Sequence, residues 1–218
     1  MLFIGICGAS GSGKSTLADE LATMVNRSIL IINQDAYYLN HPDLSFEERC
    51  RLNYDEPSIF DHDLLLEDVK KLLAGERVPR KQYDYTNHCR ADLPGECMEP
   101  HDVIIVEGIM TLYDKSLRDQ MDLKIYVDAE PDERLLRVIV RDIAERGHPL
   151  EMLISKYRNV LKPMHDEFIE PTKQFADIII PNGGDNARAI AMMQLYIMSA
   201  LKEQRLARLE RSVAQTLL

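Results

Sequence analysis

The chain has 218 residues, enough for one core of helices over a sheet and well above the size that needs disulfide staples. Lys and Arg total 26 against 36 Asp and Glu, and the resulting net charge of −10 excludes the broad basic footprint of a nucleic-acid-binding protein. Four scattered cysteines (Cys7, Cys50, Cys89, Cys97) form no C-x-x-C pair and follow no signal peptide, which predicts a reduced cytoplasmic setting. No apolar run approaches the ~20 residues of a membrane span, so no membrane partner is expected.

The first predicted element is a strand, because Leu2-Phe3-Ile4-Gly5-Ile6-Cys7 is apolar and rich in β-branched residues. A Gly/Ser-rich loop follows at once, then a helical pattern from Thr16 to Val25. Further runs of strand length lie at Ser28 to Asn33, Val103 to Val106, Leu123 to Val127 and Asp177 to Ile180. They are apolar throughout rather than alternating, which predicts strands covered on both faces, as in a parallel sheet. Helices are predicted at Asp63 to Ala74 with Gly75 as stop signal, Pro131 to Arg146, Leu150 to Leu161 and Asn186 to Arg211. The interleaving predicts an α/β fold with a parallel sheet of about five strands flanked by helices. Arg77 to Glu99 breaks the alternation with aromatics, charges, two prolines and Gly95, and reads as an inserted β-ribbon or flap. With no repeat or low-complexity linker, the expectation is one domain over residues 1–218, with 77–99 as a substrate-binding ribbon and 131–165 as a helical lid.

Gly8-Ala9-Ser10-Gly11-Ser12-Gly13-Lys14-Ser15, followed by Thr16, fits the P-loop pattern G-x-x-x-x-G-K-[ST], between the strand and the helix that this motif requires. Its glycines let backbone amides turn inward around phosphates, Lys14 would reach the β- and γ-phosphates, and the Ser15 hydroxyl suits Mg²⁺. Val103-Ile104-Ile105-Val106-Glu107-Gly108 is an apolar strand ending in a carboxylate, the arrangement of a Walker-B element, so Glu107 is a second candidate metal neighbour. A guanine-reading N-K-x-D loop is absent, and Pro181-Asn182-Gly183-Gly184-Asp185 follows the last strand instead, which argues against a GTPase switch. Asp35, at the carboxyl end of the second strand on the P-loop side, can take a proton from an attacking hydroxyl, as a kinase's catalytic aspartate does. Arg134, Arg137, Arg141 and Arg146 crowd one helical segment. Arg141 and Arg146 are candidates for neutralising the transferring phosphoryl group, set against the alternative of a solvated charged face.

In this order the blocks GASGSGKS, Asn33-Gln34-Asp35-Ala36-Tyr37-Tyr38, Asn53-Tyr54-Asp55-Glu56-Pro57, Tyr83 to Arg90, Glu107-Gly108-Ile109, Arg141 to Gly147 and Pro171 to Asp177 resemble the uridine kinase (uridine-cytidine kinase) family, over nearly the whole chain from Ile4 to Gly184. The resemblance implies phosphoryl transfer from ATP, or from GTP in its place, with Mg²⁺, to the 5′-hydroxyl of uridine or cytidine, a step of pyrimidine salvage. It implies Asp35 as catalytic base beside the metal, Ser15 and Glu107 as magnesium neighbours, and Asp55 as the carboxylate that receives ribose hydroxyls. Tyr83, Tyr85 and His88 would form the base pocket, Arg137 would join the substrate contacts, and the protein would be a homo-oligomer, a tetramer in the family pattern. By strand parity Tyr83 and Tyr85 share a face while His88 does not, so a turn or bulge near Asn87 is needed to bring it round.

The chain departs from the family pattern at Val138, His148 and Lys156, where the family carries a basic residue, an arginine and a glutamine. These departures leave the phosphoryl-transfer parts intact and bear on the acceptor. Two other readings therefore stand beside the nucleoside kinase. One is a kinase of the same core acting on another hydroxyl compound, such as a ribulose phosphate, pantothenate or a different nucleoside, with Arg77, Arg80, Lys81 and Arg90 available to meet a phosphate. The other is a nucleotide-binding regulator without catalysis, against which the set Lys14, Ser15, Asp35 and Glu107 argues.

Overall fold

The computed structural model describes residues 1–24, 29–144 and 147–216. In chain order it runs β1 (Leu2–Cys7), α1 (Lys14–Met24), β2 (Ile29–Asn33), a 3₁₀ turn (Gln34–Tyr37), α2 (Phe46–Arg49), α3 (His62–Leu73), β3 (Val78–Asp84) and β4 (Cys89–Met98). It continues with β5 (Val103–Gly108), α4 (Lys115–Arg118), β6 (Leu123–Asp128), α5 (Pro131–Ala144), α6 (Leu150–Lys156), α7 (Lys162–Met164), β7 (Ile178–Pro181) and α8 (Ala187–Thr216).

Five strands form the parallel sheet, in the order β2-β5-β1-β6-β7. Their unbroken apolar sequences follow from double coverage. Along β1, Leu2, Ile4 and Ile6 enter a core with Leu17 and Leu21 of α1 and Ile190, Met193 and Ile197 of α8. Phe3 and Cys7 enter the opposite core with Leu65, Val69 and Leu72 of α3. Along β5, Val103 and Ile105 face α1 and α8 while Ile104 and Val106 face α3. Each buried Ile or Leu side chain contributes roughly 1.5–3 kcal/mol.

β3 and β4 form a separate antiparallel ribbon, with Tyr83 opposite Arg90 and Asp84 opposite Cys89. Its register slips between Pro79 and Lys81, a bulge that re-aims the strand. The segment after α5 is longer than the periodicity predicts. α6 runs on through a π-helical stretch at Tyr157–Leu161, α7 and a second π-helical stretch at His165–Ile169, then a 3₁₀ segment at Glu170–Phe175. Pro163 and Pro171 do not stop it, because each closely follows a π-helical stretch, where the wider turn already shifts the backbone hydrogen bonding. The predicted start of β2 at Ser28 and end of the lid helix at Arg146 lie outside the described residues.

The two-sided core has a direct consequence for β5, whose Ile105 is fully buried between β2 and β1. Ile105→Ala should lower unfolding free energy by about 2–5 kcal/mol, read from urea denaturation; a change under about 1 kcal/mol would mean that the sheet relaxes around the gap.

Candidate active site

The parallel strands end on one edge, and the loop from Gly8 to Ser15 emerges there between β1 and α1. Gly11 and Gly13 have φ of 78° and 91°, the left-handed region that a side chain resists. A Cβ at Gly11 would also come within 2.6 Å of the Arg134 carbonyl oxygen. The loop that these glycines allow can present backbone amides to an anion at the N-terminus of α1. Thr16, one turn further along α1, packs against Gly184 of the loop after β7.

Ser15 Oγ donates to Glu107 Oε2 at 3.1 Å. Glu107 is only 3% exposed, and burial pushes its carboxyl above the usual range while Lys14 pulls it back and Asp35 pushes it further up. Lys14, Ser15, Asp35 and Glu107 thus share one electrostatic neighbourhood. A hydroxyl beside carboxylates is a hard-oxygen donor set that suits Mg²⁺, an ion that takes one or two carboxylates and keeps its other positions for water and phosphate. Among the described residues no group of three or more His, Cys, Asp or Glu side chains could enclose a metal ion.

Asp35 sits in the 3₁₀ turn after β2, where the Asn33 side chain accepts from its backbone amide. Tyr85, at the ribbon tip, donates its hydroxyl to Asp35 Oδ2 at 2.7 Å. The bend that parity demands is present: the Asp84 carboxylate caps the amides of Thr86 and Asn87, and His88 follows with φ 49°. That turn brings His88 Nδ1 to 3.4 Å from Tyr83 Oη. His88 stacks on Tyr54 at 5.0 Å, and Tyr83 meets Tyr38, Tyr54 and Tyr85 at 4.8, 5.9 and 5.3 Å between ring centroids. Burial pushes the His88 imidazole below its usual range, and Lys156, Arg49 and His148 act in the same direction, so the ring is neutral near pH 7.

Asp55 is 7% exposed. Burial raises its carboxyl, Lys156 lowers it, Asp35 raises it, and Lys14 and Arg141 lower it, so the acid lies among both signs of charge. The site therefore brings together Lys14, Ser15, Asp35, Asp55, Tyr83, Tyr85, His88 and Glu107. Arg141, whose Nε donates to Asp142 Oδ1 at 2.8 Å, lies near enough to act on Asp55. Arg146 lies outside the described residues.

Arg137 is placed elsewhere. It donates to the Gly11 carbonyl at 3.3 Å and to Asp185 Oδ2 at 3.2 Å, tying the P-loop to the loop after β7. There it lines a surface pocket of about 610 Å³ with Glu133, Asn182, Asp185, Asn186 and Arg188. Sequence reasoning missed Tyr38 and Tyr54, whose rings complete the aromatic cluster. Both lie inside quoted blocks, Tyr54 next to Asp55 and Tyr38 three residues after Asp35, and no spacing rule points either ring at a distant ribbon. Lys156 stood out in the sequence only as a departure, yet it is the charge that acts most strongly on both Asp55 and His88.

Comparison with known proteins agrees with this geometry. The model of the Phosphoribulokinase / Uridine kinase family matches residues 3–189. A uridine kinase of Staphylococcus haemolyticus is 51% identical over 202 residues, 92% of this chain and 97% of that protein. A uridine kinase of Staphylococcus aureus is 48% identical over the same shares. The solved phosphoribulokinase from Rhodobacter spheroides superposes with a TM-score of 0.56 at 19% identity, over 83% of this chain and 69% of that one, a likeness of fold.

The buried pairing of Ser15 with Glu107 makes a measurable demand. Glu107→Gln should raise the Mg²⁺ concentration at half-maximal rate by about 10–100-fold, measured by titrating Mg²⁺ at saturating nucleotide; an unchanged midpoint would detach Glu107 from the metal.

Proposed function

Because the chain belongs to the phosphoribulokinase/uridine kinase family, we propose that it moves the γ-phosphoryl group of ATP to the 5′-hydroxyl of uridine or cytidine, with Mg²⁺. One observation carries this reading: the aromatic ribbon and the candidate base meet, with Tyr85 Oη at 2.7 Å from Asp35 Oδ2. A flat base stacked in the cluster of Tyr38, Tyr54, Tyr83 and His88 leaves its sugar directed toward Asp35 and the P-loop.

In this reading Asp35 accepts the proton of the attacking 5′-hydroxyl and orients that oxygen, a contribution of about 10²–10⁴-fold for a positioned base. Asp55, whose carboxyl burial raises against the pull of Lys156, Lys14 and Arg141, receives the ribose hydroxyls. Tyr83 and neutral His88 read the edge of the base, and the aromatic walls exclude water. Backbone amides from Gly8 to Thr16 and the Lys14 ammonium hold the phosphates, and Arg141 on α5 faces the charge that spreads over the transferring group. Mg²⁺, held through Ser15, Glu107 and Asp35, neutralises phosphate charge when bound. Arg137 and the loop at Asn182 and Asp185 serve the donor nucleotide rather than the nucleoside. α5 and α6, within residues 131–165, form the lid of one kinase domain spanning residues 1–218, with the 77–99 ribbon as the acceptor-binding insert. Pyrimidine salvage in the cytoplasm is the setting that fits this activity and four free cysteines, and a homo-oligomer is the expected assembly.

ADP release in a coupled assay should depend on uridine or cytidine, and not on adenosine, ribulose 5-phosphate or pantothenate; turnover with only one of the last three would reassign the acceptor. Asp35→Asn should lower kcat by about 10²–10⁴-fold with ATP binding retained. Since burial and neighbouring cations depress His88, the acceptor KM should stay flat from pH 8 down through ~6.5, the ordinary imidazole value, and rise only below it. A rise centred at or above ~6.5 would show that His88 titrates as an exposed ring.

A further inference from the structure

Lys81 sits on the ribbon strand β3 opposite Asp92 of β4. On an isolated ribbon that exposed acid is its natural partner. The structure sends Lys81 elsewhere. The bulge between Pro79 and Lys81 shifts the strand's parity, so that Val78, Lys81 and Tyr83 all face inward. Lys81 Nζ lies 2.6 Å from Asp68 Oδ2 of α3, with side chains only 7% and 4% exposed. The same carboxylate oxygen accepts from Tyr37 Oη at 2.9 Å. Tyr37 is buried, and burial holds its phenol protonated, so the hydroxyl is a donor.

Tyr37 belongs to the four-residue 3₁₀ turn that carries Asp35. One buried carboxylate therefore joins three elements: the ribbon, the helix under it, and the turn that presents the candidate base. The ribbon touches that turn a second time at its tip, where Tyr85 donates to Asp35. Two fixed points on one short turn determine both its distance from the ribbon and its rotation. The lower point is dry and charge-neutral, and so holds its geometry better than an exposed pair would.

We infer that Asp68 is a positioning residue, which through Tyr37 and Lys81 holds the acceptor-binding ribbon in register with the Asp35 turn. It touches neither substrate. This inference rests on the phosphotransferase reading for its kinetic consequence and on the structure alone for its mechanical one.

The test uses the full chain and three variants: Tyr37→Phe, Lys81→Met, and the double variant Lys81→Met/Asp68→Leu. Tyr37→Phe keeps the ring in its core and cuts only the link to the turn. It should lower kcat with uridine by about tenfold and raise the uridine KM, while the ATP KM stays within about twofold, since misplacing a reacting group costs rate without disturbing the P-loop. Lys81→Met leaves a buried carboxylate short of a partner and should lower Tm. The double variant replaces the pair with apolar groups and should recover part of the lost Tm, the Tyr37 hydroxyl still lacking its acceptor, without restoring kcat. Recovery of kcat together with Tm, or Tyr37→Phe with wild-type kinetics, would leave Asp68 a structural residue only. Amide exchange of residues 34–38, measured on the same variants without any acceptor, should quicken in Tyr37→Phe, and unchanged exchange would overturn the tether. A wild-type enzyme that turns over no nucleoside would count against the proposed function and still leave the exchange comparison to judge the tether.

Discussion

The pairing of β1 with β5 sets Ile6 beside Glu107 and Cys7 beside Gly108. Because both strands run parallel, both end on the same edge, and the loop leaving one must pass over the carboxylate that terminates the other. A buried acid at that place would be costly alone, but the Ser15 hydroxyl and the Lys14 charge stand at the start of α1 to meet it. The P-loop glycines are needed for the same reason. A backbone that must turn back so close to α5 has no room for side chains at Gly11. The sheet's register thus comes first, and the P-loop, the Ser15–Glu107 pair and the Asp35 turn are its local consequences.

The site carries more charge than its burial would tolerate without balance. Asp35, Asp55 and Glu107 converge from three separate segments, and Lys14, Arg141 and Lys156 approach from three others. A net charge of −10 on the whole molecule does not prevent this, since a handful of placed cations suffices for a small anionic ligand. The aromatic rings beside these charges lower the local dielectric, which strengthens each interaction in the pocket. Burial differs around the site: Asp55 is enclosed, whereas the Arg137–Asp185 pair is open to solvent.

Much of this was legible before any coordinate. The five strands were readable because burial on both faces leaves no polar residue to blur them, and the P-loop because its glycine spacing has few other uses. Asp35 and Glu107 were readable as acids at strand ends. The contacts of Arg137 with Gly11 and Asp185 were not readable, because helical spacing tells which residues share a face and not what that face meets. Tyr38 and Tyr54 were missed because the cluster they join is assembled from three separate stretches of chain. The partner of Lys81 was hidden for a different reason: one bulge, invisible to alternation, redirects it from Asp92 to Asp68.

The two π-helical stretches between Tyr157 and Ile169 carry a consequence for how this chain can change. A plain α-helix advances 100° per residue, so residues four apart drift by about 40° each step and leave a common face within three steps. A wider π turn reverses that drift, which keeps Tyr157, Leu161, His165 and Ile169 on one straight line along the small cavity above Ala9 and Ser10. The alignment depends on residue count rather than on residue type. Substitutions along the line can be absorbed one at a time, whereas the loss of a single residue from the α-helical winding between or beside the π stretches would turn everything after it by about 100°. In this segment chain length is itself part of the encoded information.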